Sequence, residues 1–259
     1  MISTINENKK SNFLIICDHA SNHIPNVYNN LGLDKELLET HISYDIGAKE
    51  VASYVSDFLQ CPLVMSDFSR LLIDPNRGID DPTLIMKISD RNIIKGNSDI
   101  SFLINCDEKK KRINSYYSIY HKKIFDIIKK SIERKVFPAI ISIHSFTPFW
   151  EYKKRLIELG ILWDSDDRLS NIFFNYFMNN HSKLVIGDNK PYSGRMKNDT
   201  LYKHGTKKGL PNVLIEIRQD LISNKKDQKY YAKLITEPLI EIKNNSKLFQ
   251  KKIYKSLAI

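Results

Sequence analysis

A layered α/β fold with a mixed, largely parallel sheet is the class this sequence predicts. Short runs of isoleucine, valine and leucine recur along the chain, longer segments with helical apolar spacing alternate with them, and polar clusters follow several of the runs. Short apolar runs suit strands buried on both faces. Strands alternating with helices build a sheet covered by helices. Ligand sites in such sheets lie past the C-terminal ends of strands, so the polar endings are where chemistry is sought.

In chain order, residues 13–17 read as the first strand. Residues 46–59 then place Ile46, Val51, Val55, Phe58 and Leu59 on one helical face. Residues 62–65 and 71–73 are further strands. Residues 77–105, with Asp-Pro, Gly-Asn and many charges, read as a long excursion over the sheet edge, drawn equally well as a lid or a partly helical insertion. A helix over 113–132 carries Ile113, Tyr117, Tyr120, Ile124, Ile127 and Ile128 at helical spacing. Residues 139–143, 160–163, 184–186 and 213–217 complete the strands, with a helix over 169–178 between them. The last helix spans 230–254, and Pro238 is expected to kink or divide it. With no clear linker or internal repeat, residues 1–259 read as a single domain, and a chain of that length can hold one large core.

Composition narrows the function classes. The chain carries 40 Lys and Arg against 30 Asp and Glu, a net charge of +10. The basic runs, such as Lys109-Lys110-Lys111-Arg112, are scattered and accompany no nucleic-acid-binding pattern, so no nucleic-acid partner is expected. Cys17, Cys61 and Cys106 lie too far apart for a zinc ribbon, and their odd number argues against a disulfide framework. No signal-like segment opens the sequence, and no apolar run approaches the ~20 residues of a membrane span. A cytoplasmic, soluble protein without a membrane partner is the expectation; the oligomeric state, homo-oligomer included, stays open.

Five stretches collect reactive side chains. In DHASNHIP, His19 directly follows the first strand; in ISIHSFTPF, His144 sits at the end of another interior strand. Neighbouring parallel strands would bring the two rings to one rim. Catalytic zinc takes three protein ligands, with imidazole and carboxylate both suitable. Asp45, in HISYDIGAKE, is one candidate third ligand, although its position also suits a helix N-cap. Asp18 and Asn22 compete with it, and His41, four residues earlier, reads as a supporting partner or a surface residue. The stretch SDFSRLLIDPNRG sets Arg70, Asp74, Asn76 and Arg77 around a short apolar run, and an arginine fork suits a substrate carboxylate. In LPNVLIEIRQDL, Glu216 and Arg218 share one strand face: either a structural ion pair, or a general base whose pKa is set by burial. The loop NKPYSG either forms a simple turn or places Tyr192 and Ser193 over a ligand. His204-Gly205 reads as a mobile loop, and His121 and His181 as ordinary helical or surface histidines.

In this joint order, DHASNHIP, HISYDIGA, SRLLIDPNR, SIHSFTP, NKPYSG and LIEIRQDL resemble the N-formylglutamate amidohydrolase family. The resemblance implies a three-layer α/β/α sandwich related to zinc carboxypeptidases and aspartoacylase-like deacylases, with one zinc ion per chain. It implies His19 and His144 as metal ligands, with Asp45 or Asn22 as the third because the familiar HxxE pair is not satisfied. Glu216 is implied as the residue that activates water and Arg70 as a catalytic charge. Arg70, Asn76, Arg77, Tyr192, Ser193 and Arg218 are implied as the substrate-binding group. The activity it implies is zinc-dependent hydrolysis of N-formylglutamate or a similar small, anionic N-acyl amino acid. The alternatives are a deacylase or carboxypeptidase-like hydrolase acting on another anion, or a basic binding protein that keeps the fold without catalysis.

Overall fold

The structure is a computed structural model, and it describes residues 1–100 and 106–258. Its main sheet uses strands β1 (Ile2–Ile5), β2 (Phe13–Cys17), β3 (Leu63–Ser66), β4 (Ala139–Phe146), β5 (Leu159–Leu162), β6 (Ile186–Asp188) and β7 (Asn212–Arg218). The spatial order is β1-β3-β2-β4-β7-β5-β6. β3, β2, β4 and β7 run parallel, β1 pairs antiparallel at one edge, and β5 and β6 run antiparallel to the central four. The expected mixed, largely parallel sheet is what forms.

The two-residue strand period sorts the side chains to opposite faces. Phe13, Ile15, Ile141, Ile143, Val213 and Ile215 enter one core, packed against α1 (Ala48–Leu59), α3 (Ser170–Asn180) and α5 (Lys225–Ile242). Leu14, Ile16, Ile140 and Leu214 enter the other, against α2 (Ser118–Glu133), α4 (Thr200–His204) and the segment from Phe68 to Ile100. Helices therefore cover both faces. On the second face the apolar pattern breaks at Asp18, Ser142, His144 and Glu216, all buried.

Several elements depart from the sequence expectations. Residues 71–73 are fully buried but form a turn rather than a strand. Their apolar side chains fill the second core, and the i,i+4 pair Arg70–Asp74 closes the turn around them. Within residues 77–105 the described part holds a two-residue ladder, Ile88–Ser89 with Asn92–Ile93; the end of that span lies outside the described residues. The helical stretch expected over 113–132 begins earlier, with Cys106–Arg112 and a π-helical turn at Ile113–Tyr117 leading into α2. The last helix starts at Lys225, where the Asn224 side chain caps it by accepting from Lys226 and Asp227 amides, and ends at Ile242. Pro238 lies inside it without dividing it: buried apolar packing by Tyr231, Ala232, Leu234, Ile235 and Leu239 holds the helix together across the missing amide. The edge strand β1 has no counterpart among the expected strands. No helix among the described residues is long and apolar enough to cross a membrane.

Candidate active site

The site begins where β2 and β4 end. Asp18 follows the buried β2 and points to the side of Leu14 and Ile16, where four side chains from three elements hold it. Its Oδ1 accepts from the Tyr120 hydroxyl of α2 at 3.0 Å and from Thr200 Oγ1 of α4 at 2.6 Å. Its Oδ2 accepts from Ser142 Oγ at 3.0 Å and from His144 Nε2 at 3.1 Å, both on β4. A carboxylate can only accept, so Nε2 of His144 carries a proton. The opposite nitrogen, Nδ1, lies 2.8 Å from Asp45 Oδ2.

His19 repeats this arrangement with different acids. Its Nε2 lies 2.7 Å from Asp74 Oδ1, and its Nδ1 lies 3.4 Å from the same Asp45 Oδ2. The two rings meet edge to face, with centroids 4.9 Å apart. Both imidazoles thus turn Nε2 outward to a buried acid and Nδ1 inward to Asp45.

Local backbone explains how Asp45 gets there. Its amide donates to the His19 carbonyl at 3.0 Å, tying the two segments together. Gly47 follows at φ +78°, and a Cβ there would come within 2.6 Å of the Ile222 carbonyl; only glycine makes this turn without strain. Helix α1 consequently starts at Ala48, so the expected capping role passes to Gly47 and the backbone, and the Asp45 side chain is released toward the histidines.

The electrostatics follow from these contacts. Burial opposes charge on Asp45, but His19 and His144 beside it hold its carboxyl well below the usual range. Burial likewise opposes charge on Asp18, yet the His144 hydrogen bond and charge hold it down at about 2. For Asp74, His19 and Arg70 overcome burial in the same direction. His144, buried but hydrogen-bonded to Asp18 and Asp45, has its imidazole pKa raised well above normal.

One ligand atom each from His19, Asp45 and His144 lies within 4.8 Å of the others. Two imidazoles and a carboxylate form a suitable donor set for zinc, and a ligating histidine characteristically gives its other N–H to a carboxylate. Asp74 and Asp18 are placed for that, so these residues fit the metal. Asp18 therefore faces the far nitrogen of His144 instead of joining the donor set. Asn22, the alternative third ligand, is engaged elsewhere, its Nδ2 donating to the Leu38 carbonyl at 3.1 Å.

Around the donor set lies a cavity of about 210 Å³. Arg70, Asn76, Arg77, Tyr192 and Ser193 line it, as does Glu216 of β7. Arg70 bridges two acids, with Nη1 3.5 Å from Asp45 Oδ1 and Nη2 3.2 Å from Asp74 Oδ2; its Nε is buried without a partner. The Asn76 amide donates to Asp74 Oδ1 at 2.8 Å and its side-chain oxygen accepts from the Thr200 amide at 3.1 Å. Arg77 donates to Thr83 Oγ1 and to the Asn76 carbonyl and makes no ion pair among the described residues.

Glu216 stands in register between His144 and Gly160 of the neighbouring strands. Its Oε2 is buried without a hydrogen-bond partner. Burial pushes its carboxyl up to about 7, against the pull of His144. An acid poised near neutrality at a cavity wall is suited to taking and returning a proton.

Not every expectation places a residue here. Arg218 does not line the cavity and does not pair with Glu216. Its Nε donates to Asp220 Oδ1 at 2.8 Å and its Nη1 to the Arg155 carbonyl at 2.9 Å, with the Leu156 carbonyl at 3.3 Å. β7 ends at Arg218, so the chain turns to Asp220 and takes the guanidinium with it. His204 is not in a mobile loop: it ends α4, buried, with its Nε2 2.9 Å from His121 Nδ1. His121 lies in a helix, α2, as expected, but is tied inward, its Nε2 donating to the Pro75 carbonyl at 3.0 Å. His41 lines the cavity as well, and so does Asp199, for which the sequence raised no expectation. Asp199 caps α4 by accepting from the Tyr202 amide, and burial pushes its carboxyl up to about 7. Its signal, an aspartate just ahead of Thr200-Leu201, is a readable N-cap.

Residues 11–223 match the family model described as N-formylglutamate amidohydrolase. A gene product of Agrobacterium tumefaciens of known structure is 33% identical, with 93% of this chain and 95% of that one covered and a TM-score of 0.86. An N-formylglutamate amidohydrolase from Ralstonia eutropha is 18% identical over 95% of this chain and 98% of that one, with a TM-score of 0.66, and shares the fold. No curated protein sequence matches.

Proposed function

Because the chain belongs to the N-formylglutamate amidohydrolase family, we propose that it is a zinc-dependent amidohydrolase acting on N-formylglutamate or a similar acidic N-acyl amino acid. We read residues 1–259 as one domain devoted to that reaction. The observation that carries the reading is the pair His19 and His144, each backed by a buried acid and directed at Asp45, beside the unpartnered carboxyl of Glu216.

In this reading His19, His144 and Asp45 hold one zinc ion. When bound, the ion supplies a Lewis acid for the acyl carbonyl and lowers the pKa of water. Glu216 takes a proton from the attacking water and returns it to the leaving amine nitrogen. Water adds to the acyl carbon, the C–N bond breaks, and N-formylglutamate yields formate and glutamate. Arg70, fixed between Asp45 and Asp74, stabilises negative charge developing on the acyl oxygen, where a preorganised cation is most effective. Asn76 and Arg77 hold a substrate carboxylate, and Tyr192 and Ser193 cover the bound amide.

The test is a matched panel of N-formyl and N-acetyl amino acids, with formate or acetate measured directly and zinc varied. Zinc-dependent formate release, fastest on acidic N-formyl compounds, is expected. Hydrolysis of N-acetyl compounds alone would assign a different deacylase, and no turnover on any member would end the amidohydrolase reading.

A further inference from the structure

Arg155 belongs to none of the sequence motifs and is not itself part of the cavity lining, yet it packs against four residues that are. Its guanidinium carbon lies 5.4 Å from the Phe146 ring centroid and 5.3 Å from those of Trp150 and Tyr192. Its Nη1 donates to the Tyr192 hydroxyl at 3.1 Å and approaches the Thr147 carbonyl at 3.4 Å. Phe146, Thr147, Trp150 and Tyr192 all line the cavity. Arg155 makes no ion pair with any described residue and is only half-buried.

The backbone holds this side chain in place from both sides. The Arg155 amide donates to the Pro148 carbonyl at 2.8 Å, at the base of the hairpin pairing Phe149 with Lys154. The Arg155 carbonyl accepts from Arg218, whose own charge is met by Asp220. Arg218 thus reaches the site indirectly, by anchoring the segment that presents Arg155.

Charge distribution says what such a group is for. The inner cavity is rich in acids, and Arg70 is already committed between two of them. Arg77 in the cavity lining and Arg155 beside it are guanidinium forks without a carboxylate partner among the described residues, and they come from separate loops. Planar forks of this kind match carboxylates. The rings of Phe146, Trp150 and Tyr192, close to the Arg155 guanidinium, steady the cation.

We propose that Arg155 is a specificity-determining residue that binds the side-chain carboxylate of an N-acyl dicarboxylic amino acid while Arg77 takes its α-carboxylate. This rests on the amidohydrolase reading and assigns a residue to the substrate's second carboxylate. The experiment compares N-formylglutamate with N-formylglutamine, equal in shape and different by one charge, on zinc-loaded wild type, Arg155→Met and Arg155→Lys. Wild type prefers the glutamate compound. Arg155→Met loses about 10- to 100-fold in kcat/KM on it, the range for a charge-assisted contact, mainly through KM, and stays near wild type on the glutamine compound. Arg155→Lys keeps the charge and loses less. The glutamine compound reports on folding within the same assay; should Arg155→Met not fold, a selective loss in Arg155→Lys on the glutamate compound carries the proposal. Equal losses on both compounds, or a wild type indifferent to the charge, would overturn the role of Arg155 while leaving the amidohydrolase intact. A wild type that hydrolyses neither would remove both readings.

Discussion

His19 and His144 stand edge to face, ring planes at 81°, and both aim Nδ1 at the same Asp45 oxygen, at 3.4 and 2.8 Å. Such convergence of buried groups requires a charge between them or a shared proton, since a carboxylate oxygen facing two imidazole lone pairs is unfavourable. Asp45→Asn is accordingly expected to lower zinc affinity by about 100-fold or more, whereas Asn22→Ala, whose amide serves the Leu38 carbonyl, leaves it unchanged. Competition against a chromophoric zinc chelator measures both. Loss in the Asn22 variant with retention in Asp45→Asn would reverse the ligand assignment.

The acids behind the rings set which nitrogen is free. An amide at position 18 would present NH2 or a weaker oxygen to His144 Nε2, and the ring would shift its proton toward Nδ1. Asp18→Asn and Asp74→Asn are each expected to cost about 10- to 100-fold in zinc affinity. Histidine NMR of the metal-free protein, at a pH where the imidazoles are neutral, checks the cause. Unchanged tautomers in both variants would count against it.

Glu216 lies beside the donor set and contributes no atom to it. Glu216→Gln keeps the shape and removes the base. Turnover is expected to fall by about 10²- to 10⁴-fold with stoichiometric zinc retained, as measured by metal analysis alongside formate release. Unchanged turnover would reject the assignment.

Gly160 allows the loop carrying Tyr192 to lie against β5. A Cβ on Gly160 would come within 2.4 Å of the Lys190 carbonyl and 3.2 Å of Glu216 Cβ. Gly160→Ala is expected to displace that loop and reduce kcat/KM by about tenfold or more, a loss of ~1.4 kcal/mol in transition-state binding. An unaltered kcat/KM would show that the loop's position is not needed.

The buried pair His121–His204 predicts acid sensitivity away from the site. Burial holds His121 down at about 4, from an ordinary value of 6.5. Because the unfolded chain takes the proton first, this stabilisation is complete above pH 6.5 and is lost progressively as pH falls toward 4. The full effect is about 3 kcal/mol. His144 titrates in the opposite sense in the metal-free protein, its raised pKa adding stability at lower pH, so the measurement is a difference. Chemical unfolding of metal-free wild type and His121→Gln between pH 7.5 and 5 should converge at the acid end. Parallel curves would contradict the prediction.

Much of the site is legible in the order of residues alone. His19, His144 and Glu216 stand out because reactive residues follow or interrupt apolar runs, and that pattern is local. Asp45 is visible but ambiguous, since an aspartate ahead of an amphipathic segment is equally a cap; the turn at Gly47 resolves it. Strand period places Arg218 beside Glu216, and that period stops being informative where the strand ends. Arg155 carries no signal, because its place depends on a hairpin folding back over Phe146 and on carbonyls accepting from Arg218.

The sequence by itself determined the alternation of strands and helices, the polar strand endings and the candidate residues, because side-chain periodicity depends only on near neighbours. The tertiary structure decided the sheet order, which ring nitrogen meets which acid, and which arginines pair with acids. Those relationships join residues as far apart as Asp18 and Thr200, and only the packing of the sheet against its helices sets such distances.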